Sequence, residues 1–184
     1  MLPYIKGRNI VMKTFIKNPD NLTDNEIDSI VTRVKVFLIN DNNEILVATS
    51  NGGCQLPGGH REENEDLLDT VKREVQEETG IILDNNEIGM PFFEIRHYNK
   101  NYRGTGQKRI SNMLYYYINT NKKINLDNTN FTEHEKQYNF SVEYIPLSEF
   151  ENYVNNFINE SQQEINVIIA KEMLMAFNEL KNIL

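Results

Sequence analysis

Hydrophobic positions along the chain follow two rhythms. In "VTRVKVFLIN" and "EILVATS" apolar and β-branched residues come in short runs parted by the turn-rich "DNNE", which predicts a hairpin. "PFFEIRHY", "SNMLYYYIN" and "FSVEYIPL" predict further strands, and "NIVMKTFIK" (Asn9 to Lys17) predicts an earlier one. The rhythm changes at Leu67: Leu67, Leu68, Val71 and Val75 recur at helical spacing and define one apolar stripe. Asn64 is placed to cap this helix, Glu65 and Asp66 suit its positive end, and Gly80 suits a left-handed stop with Ile81 folding back. Thr23 with Glu26, Ser148 with Glu151 and Ser161 with Glu164 have capping-box spacing, the first before a short turn and the others before helices. The last helix is amphipathic through Ile165, Ile168, Ile169, Glu172, Met173 and Leu180. Strands with helices between and after them predict an α/β fold, a mixed sheet covered by helices.

The 184 residues are most economically one domain, with an N-terminal extension to about residue 30 and a C-terminal helix over about 161–182. A formal charge of −8 argues against a nucleic-acid coat or a polybasic membrane surface, and no apolar run approaches membrane-spanning length. Cys54 is the only cysteine, so no internal disulfide can form, and a reducing, cytoplasmic location is expected. A polyanionic substrate would need cations or a local basic cluster to approach so acidic a chain. The one concentrated basic feature is the stretch bearing Arg96, His97, Lys100, Arg103, Lys108 and Arg109, which is either a phosphate-contacting loop or a solvated hairpin tip. Its "RGTGQKR" lacks the spacing of a P-loop. Met173, Met175, Phe177 and Leu180 read as a helix packed on the sheet or as a contact between copies, so both monomer and homodimer stay open.

Between the strands lies "LPGGHREENEDLLDTVKREVQEETGI", in which Glu74, Glu77 and Glu78 share one helix face where like charges repel. Such a face is commonly only solvated. Here Arg73 can pair with Glu77 but cannot neutralise three carboxylates, the glycines of "PGG" allow close backbone approach, and the opposite stripe anchors the helix. Hard divalent cations relieve clustered carboxylates, and Mg²⁺ is typically held by a few of them together with substrate phosphates.

From Gly59 the segment reads Gly, five residues, Glu65, seven residues, Arg73-Glu74-Val75, one residue, Glu77-Glu78, one residue, Gly80-Ile81. This resembles the Nudix box at every fixed and apolar position. At roughly 7% per fixed residue type, a chance match is on the order of 10⁻⁸ per start position. The resemblance implies an α/β/α sandwich and Mg²⁺-dependent hydrolysis (Mn²⁺ as substitute) of a nucleoside diphosphate linked to another group: a nucleoside triphosphate, an ADP-ribose-like compound or a dinucleoside polyphosphate. It implies Glu77 and Glu78 as metal ligands, Glu74 as a further ligand or the general base, the Gly59 carbonyl as another ligand, and Arg73 holding the glutamates with Glu65. In this family the base also occurs in a later loop, and "FTEHEKQYN" offers Glu133, His134 and Glu135. The rival expectation is a Nudix-fold module that binds a nucleotide without cleaving it. No stable nucleic-acid complex and no membrane association are expected.

The chain departs from many relatives in having Cys54 and no Trp before "LPGG", and Thr49-Ser50 where an Arg is common, which leaves the base-binding mode open. Cys54 reads as a small buried hydrophobe rather than a nucleophile. Arg96 and Arg109 are the expected phosphate contacts. Tyr98 lies 17 residues beyond Ile81, a spacing similar to that of diadenosine-polyphosphate hydrolases, although with nine tyrosines in the chain a plain core or surface tyrosine accounts for it better.

Overall fold

The computed structural model describes residues 11–184, apart from the side chains of His134 and Glu135. Its strands are β1 (Lys13–Lys17), β2 (Ser29–Ile39), β3 (Glu44–Ser50), β4 (Gly53–Gln55), β5 (Phe93–Asn99), β6 (Arg109–Asn119) and β7 (Ser141–Pro146). Its helices are α1 (Leu67–Thr79), α2 (Glu133–Gln137), α3 (Phe150–Glu160) and α4 (Glu164–Lys181). The strands form one mixed sheet in the order β1-β5-β6-β2-β3-β4, with β7 also on β3; β2 runs parallel to β6, and β1 parallel to β5.

Both faces of the central strands are covered, which explains why their apolar runs are nearly continuous. Val34, Val36 and Leu38 of β2 join Leu114, Tyr116 and Ile118 of β6 against Val71 and Val75 of α1. Phe37 and Ile39 point the other way, into a cluster with Phe150 and Val154 of α3 and Met173, Phe177 and Leu180 of α4. The α/β architecture expected from the sequence is the one observed. Among the described residues no helix is long and apolar enough to cross a membrane.

Local differences from expectation have physical causes. The β2–β3 hairpin closes through Asn43 in a left-handed conformation (φ 58°), but Ile39–Ile45 is the only paired position. Beyond it the strands fork: β3 goes to β4 and β7, while the "PGGHR" segment takes the vacated edge of β2, with Val36 N donating to Pro57 O (2.9 Å), Val34 N to Gly59 O (3.0 Å) and Arg61 N to Thr32 O (2.9 Å). The cap of α1 is Asp66, whose carboxylate accepts from Asp69 N (2.8 Å), whereas Asn64 sits in a left-handed turn (φ 65°). Gly80 ends α1 at φ 69° and Ile81 is buried, as the pattern required. Leu68, assigned to the apolar stripe, is exposed. Neither Ser148 nor Ser161 caps the start of a helix: a 3-10 turn over Leu147–Glu149 runs straight into α3, Ser161 ends α3, and α4 starts after Gln163. The first strand is shorter than Asn9 to Lys17, whose opening residues lie outside the described ones.

Candidate active site

Glu65 precedes the Asp66 cap, so it escapes the helical path and folds back along α1. That bend brings it to Arg73, a contact an ideal helix would not make. Arg73 donates from Nε and an Nη to the two Glu65 oxygens (2.8 and 2.9 Å) and from its other Nη to Glu74 Oε1 (2.7 Å) and Glu77 Oε2 (3.1 Å). It also donates to His60 O (2.8 Å). Thr70 Oγ1 and the Glu62 amide complete the shell of Glu65. The Arg73 fork, together with these donors, holds the Glu65 carboxyl at about 2, well below its ordinary value. Glu74 moves the opposite way: burial raises its pKa against the pull of Arg73 and Lys35.

The "LPGGH" backbone alternates in what its carbonyls face. Leu56 O and Gly58 O accept from the buried Lys35 ammonium, His60 O accepts from Arg73, and Pro57 O and Gly59 O accept from β2 amides. Gly58 N in turn donates to Glu78 Oε2 (2.8 Å). The Gly59 carbonyl, expected to face a cation, thus gives one of its two lone pairs to Val34 N. What Gly59 contributes is space, because a Cβ there would stand 2.4 Å from Glu74 Oε2.

Glu74, Glu77, Glu78, Gly59 and Arg73 all line one open cavity of about 890 Å³, within the usual size range for small-ligand sites. Its lining also includes Arg33 and Lys35 of β2, His97 of β5, Tyr102 and Arg103 of the β5–β6 loop, and Ile165, Ile168, Ile169, Glu172 and Met173 of α4. Among the described residues no three carboxylate, His or Cys side chains already converge as a metal-holding group, since Arg73 is shared between Glu74 and Glu77 and Glu78 is tied to Gly58. The donor set is nonetheless all hard oxygen. Glu74 and Glu78 are buried at the cavity wall, and the glycine beside Glu74 leaves room a side chain would fill, so the residues fit a Mg²⁺-like ion.

Other expected residues fall elsewhere. Arg96, Tyr98 and Arg109 are not among the cavity-lining residues. Strand alternation turns Arg96 and Tyr98 away from His97: Arg96 donates to Asn112 and Tyr98 to Asp24 (2.6 Å). Arg109 stacks on Tyr102 from outside the lining, bonded to Ser29 and Gln107. Glu133, expected as a loop base, lies at the start of α2, strongly exposed and paired with Lys136, and does not line the cavity; the Glu135 side chain lies outside the described residues. Cys54 is buried in the core, where desolvation pushes its thiol up to about 12. Arg33, Lys35 and His60 also line the cavity, although none was expected there. Two cations at alternate positions within an apolar strand were the available signal.

A family model described as the NUDIX domain matches residues 30–164. No curated protein matches. Similar solved structures include a MutT/nudix family protein from Enterococcus faecalis (18% identity, TM-score 0.47, covering 65% of this chain and 44% of that one). A MutT protein from Methanosarcina mazei Go1 is 17% identical (TM-score 0.49; 82% and 96% covered), and the C. elegans Ap4A hydrolase 14% identical (TM-score 0.45; 84% and 98% covered). The chain thus spans less than half the length of the Enterococcus protein.

Proposed function

The chain belongs to the Nudix family, and from that premise we propose that it hydrolyses a phosphoanhydride in a small nucleotide-like diphosphate, with Mg²⁺ as the preferred cation. The observation that carries this reading is that Glu74, Glu77 and Glu78 all line one cavity, Glu74 and Glu78 buried, with the Arg73 guanidinium pairing only Glu74 and Glu77.

Glu77 and Glu78 would hold the cation, Mg²⁺ or Mn²⁺, with Glu74 beside them. When bound, the ion supplies charge neutralisation of the phosphate oxygens and acidifies water. Arg73 holds one oxygen of Glu74 and one of Glu77, and Glu65 with His60 O fixes Arg73, so the carboxylates are oriented before substrate arrives. Glu74 keeps Oε2 clear of Arg73, and its raised pKa brings it closer to the range of a useful general base. Glu74 Oε2 then accepts the proton of the attacking water.

The test is product release from a panel of nucleoside triphosphates, ADP-ribose and dinucleoside polyphosphates, with Mg²⁺ and with Mn²⁺. Turnover of at least one member is expected, and Glu77→Gln should lower kcat at least about 100-fold while the melting temperature stays near wild type. A Glu77→Gln enzyme with unchanged kcat would remove that residue from the mechanism. Ligand affinity without any turnover would leave a binding module.

A further inference from the structure

Beside its acidic cluster the cavity carries a basic one that the reaction above does not use. Arg33 and Arg103 both line it, with Tyr102 between them and Arg109 behind. The Arg109 guanidinium lies 4.0 Å from the centroid of the Tyr102 ring and that of Arg103 lies 5.2 Å away, while Arg33 adjoins the Tyr102 phenol. Three guanidiniums therefore surround one ring. Arg73 is matched by three glutamates, but among the described residues none of these three arginines forms an ion pair with a carboxylate. Positive charge is thus gathered at one corner of a chain with 27 acidic and 19 basic residues. Its repulsion is felt locally. Burial, and then the neighbouring Arg103 and Arg109, weaken proton binding on Arg33, and burial with the same arginines and Lys35 does so on His60.

The loop that presents Arg103 is built rather than loose. Arg103 adopts φ 51°, a conformation uncommon for a bulky side chain, followed by Gly104 at φ 76° and Gly106 at φ 77°. Tyr102 N bonds to Gln107 O (2.9 Å) and Gly106 N to Asn101 Oδ1 (2.7 Å), locking the turn. One residue joins the two charged clusters: His60 bridges to Arg33 across the β2 edge, and its carbonyl accepts from Arg73.

We propose that the corner formed by Arg33, Tyr102 and Arg103 is an anion subsite for the part of a phosphate chain that extends past the anhydride held at the acidic helix. The substrate is then a nucleotide with three or more consecutive phosphates rather than a sugar-linked diphosphate. The inference rests on the hydrolase reading for its choice of substrate. Guanidinium forks match phosphate oxygens two at a time, and the Tyr102 ring orients the arginines beforehand. A sugar-linked diphosphate spends both phosphates at the carboxylate cluster and brings no charge to the arginines, whereas a triphosphate keeps a charged group to offer them.

Calorimetric titration with tripolyphosphate in EDTA, where no metal can bridge, tests the subsite apart from catalysis. Wild type is expected to bind, and Arg103→Ala and Arg33→Gln should each weaken binding about tenfold. Melts without ligand check that the variants fold, and Arg103, being exposed, is the safer substitution. Equal affinity in wild type and Arg103→Ala, or no binding by wild type, overturns the proposal. In turnover, kcat/KM for a nucleoside triphosphate should fall about tenfold in Arg103→Ala while that for ADP-ribose holds; equal losses, or a wild-type preference for ADP-ribose, overturn it. If no compound is hydrolysed but tripolyphosphate affinity still depends on Arg103, the subsite stands and the hydrolase reading falls.

Discussion

Glu65 titrates at about 2 because its ionised form is held by Arg73, Thr70 and the Glu62 amide. A carboxyl whose pKa is depressed on folding stabilises the protein fully above its unfolded value and loses that contribution as pH falls through the folded one. The window here runs from about 4.5 down to about 2. Glu65→Gln should therefore cost about 1–3 kcal/mol near neutral pH and flatten the acid limb of a plot of melting temperature against pH. The two adjacent glycines separate stability from activity. A Cβ on Gly58 would meet the Val34 carbonyl at 2.3 Å with φ at 131°, and neither backbone can yield, so Gly58→Ala should cost about 3 kcal/mol or more in denaturant titrations. A Cβ on Gly59 meets first the carboxylate end of the Glu74 side chain, not a backbone atom. Gly59→Ala should fold within about 1 kcal/mol of wild type yet lose about tenfold or more in kcat.

At the scale of elements, α1 was the most readable part of the chain, because its stripe, its acidic face and its glycine stop are all local. Gly80 adds something the pattern could not convey: a Cβ there would lie 1.8 Å from Asn125 O, since residues 125–130 dock on the helix end through Asn125 N to Thr79 O and Asn130 N to Glu77 O. Gly80→Ala should thus destabilise by about 2–4 kcal/mol and speed hydrogen exchange at the Asn125 and Asn130 amides. The capping signals were less informative. Asn64, Ser148 and Ser161 had suitable chemistry, but the chain entered each helix a residue or more later, where its neighbours fixed the backbone. The basic loop was legible as a feature but not residue by residue. Which of Arg96, His97, Tyr98 and Arg103 enters the cavity depends on strand phase, settled by pairing with β6, and on a left-handed turn held by bonds within the loop. The α4 stripe likewise read as one surface, but Leu180 belongs to the core, Ile165, Ile168 and Ile169 to the cavity wall, and Met173 to both, a distinction set by packing against distant elements.

For the whole molecule, a cation that binds only the folded chain must raise its stability by mass action. At about 100 times its dissociation constant, Mg²⁺ should add about 2.7 kcal/mol, a rise of roughly 5–10 °C in melting temperature that EDTA reverses and Glu77→Gln blunts. An unchanged melting temperature across a millimolar titration would argue against cation binding at these carboxylates. The forked sheet has a further consequence, for tolerance to changes in chain length. Because successive carbonyls from Leu56 to His60 alternate between cations and strand amides, one inserted residue would keep that backbone pattern only by moving every side chain one place along, which sets a Cβ where Gly58 meets the Val34 carbonyl or Gly59 meets Glu74. The Asp41–Asn43 turn bears no such obligation. Insertions should accumulate there during divergence, while the stretch before α1 keeps its residue count even where its side chains drift.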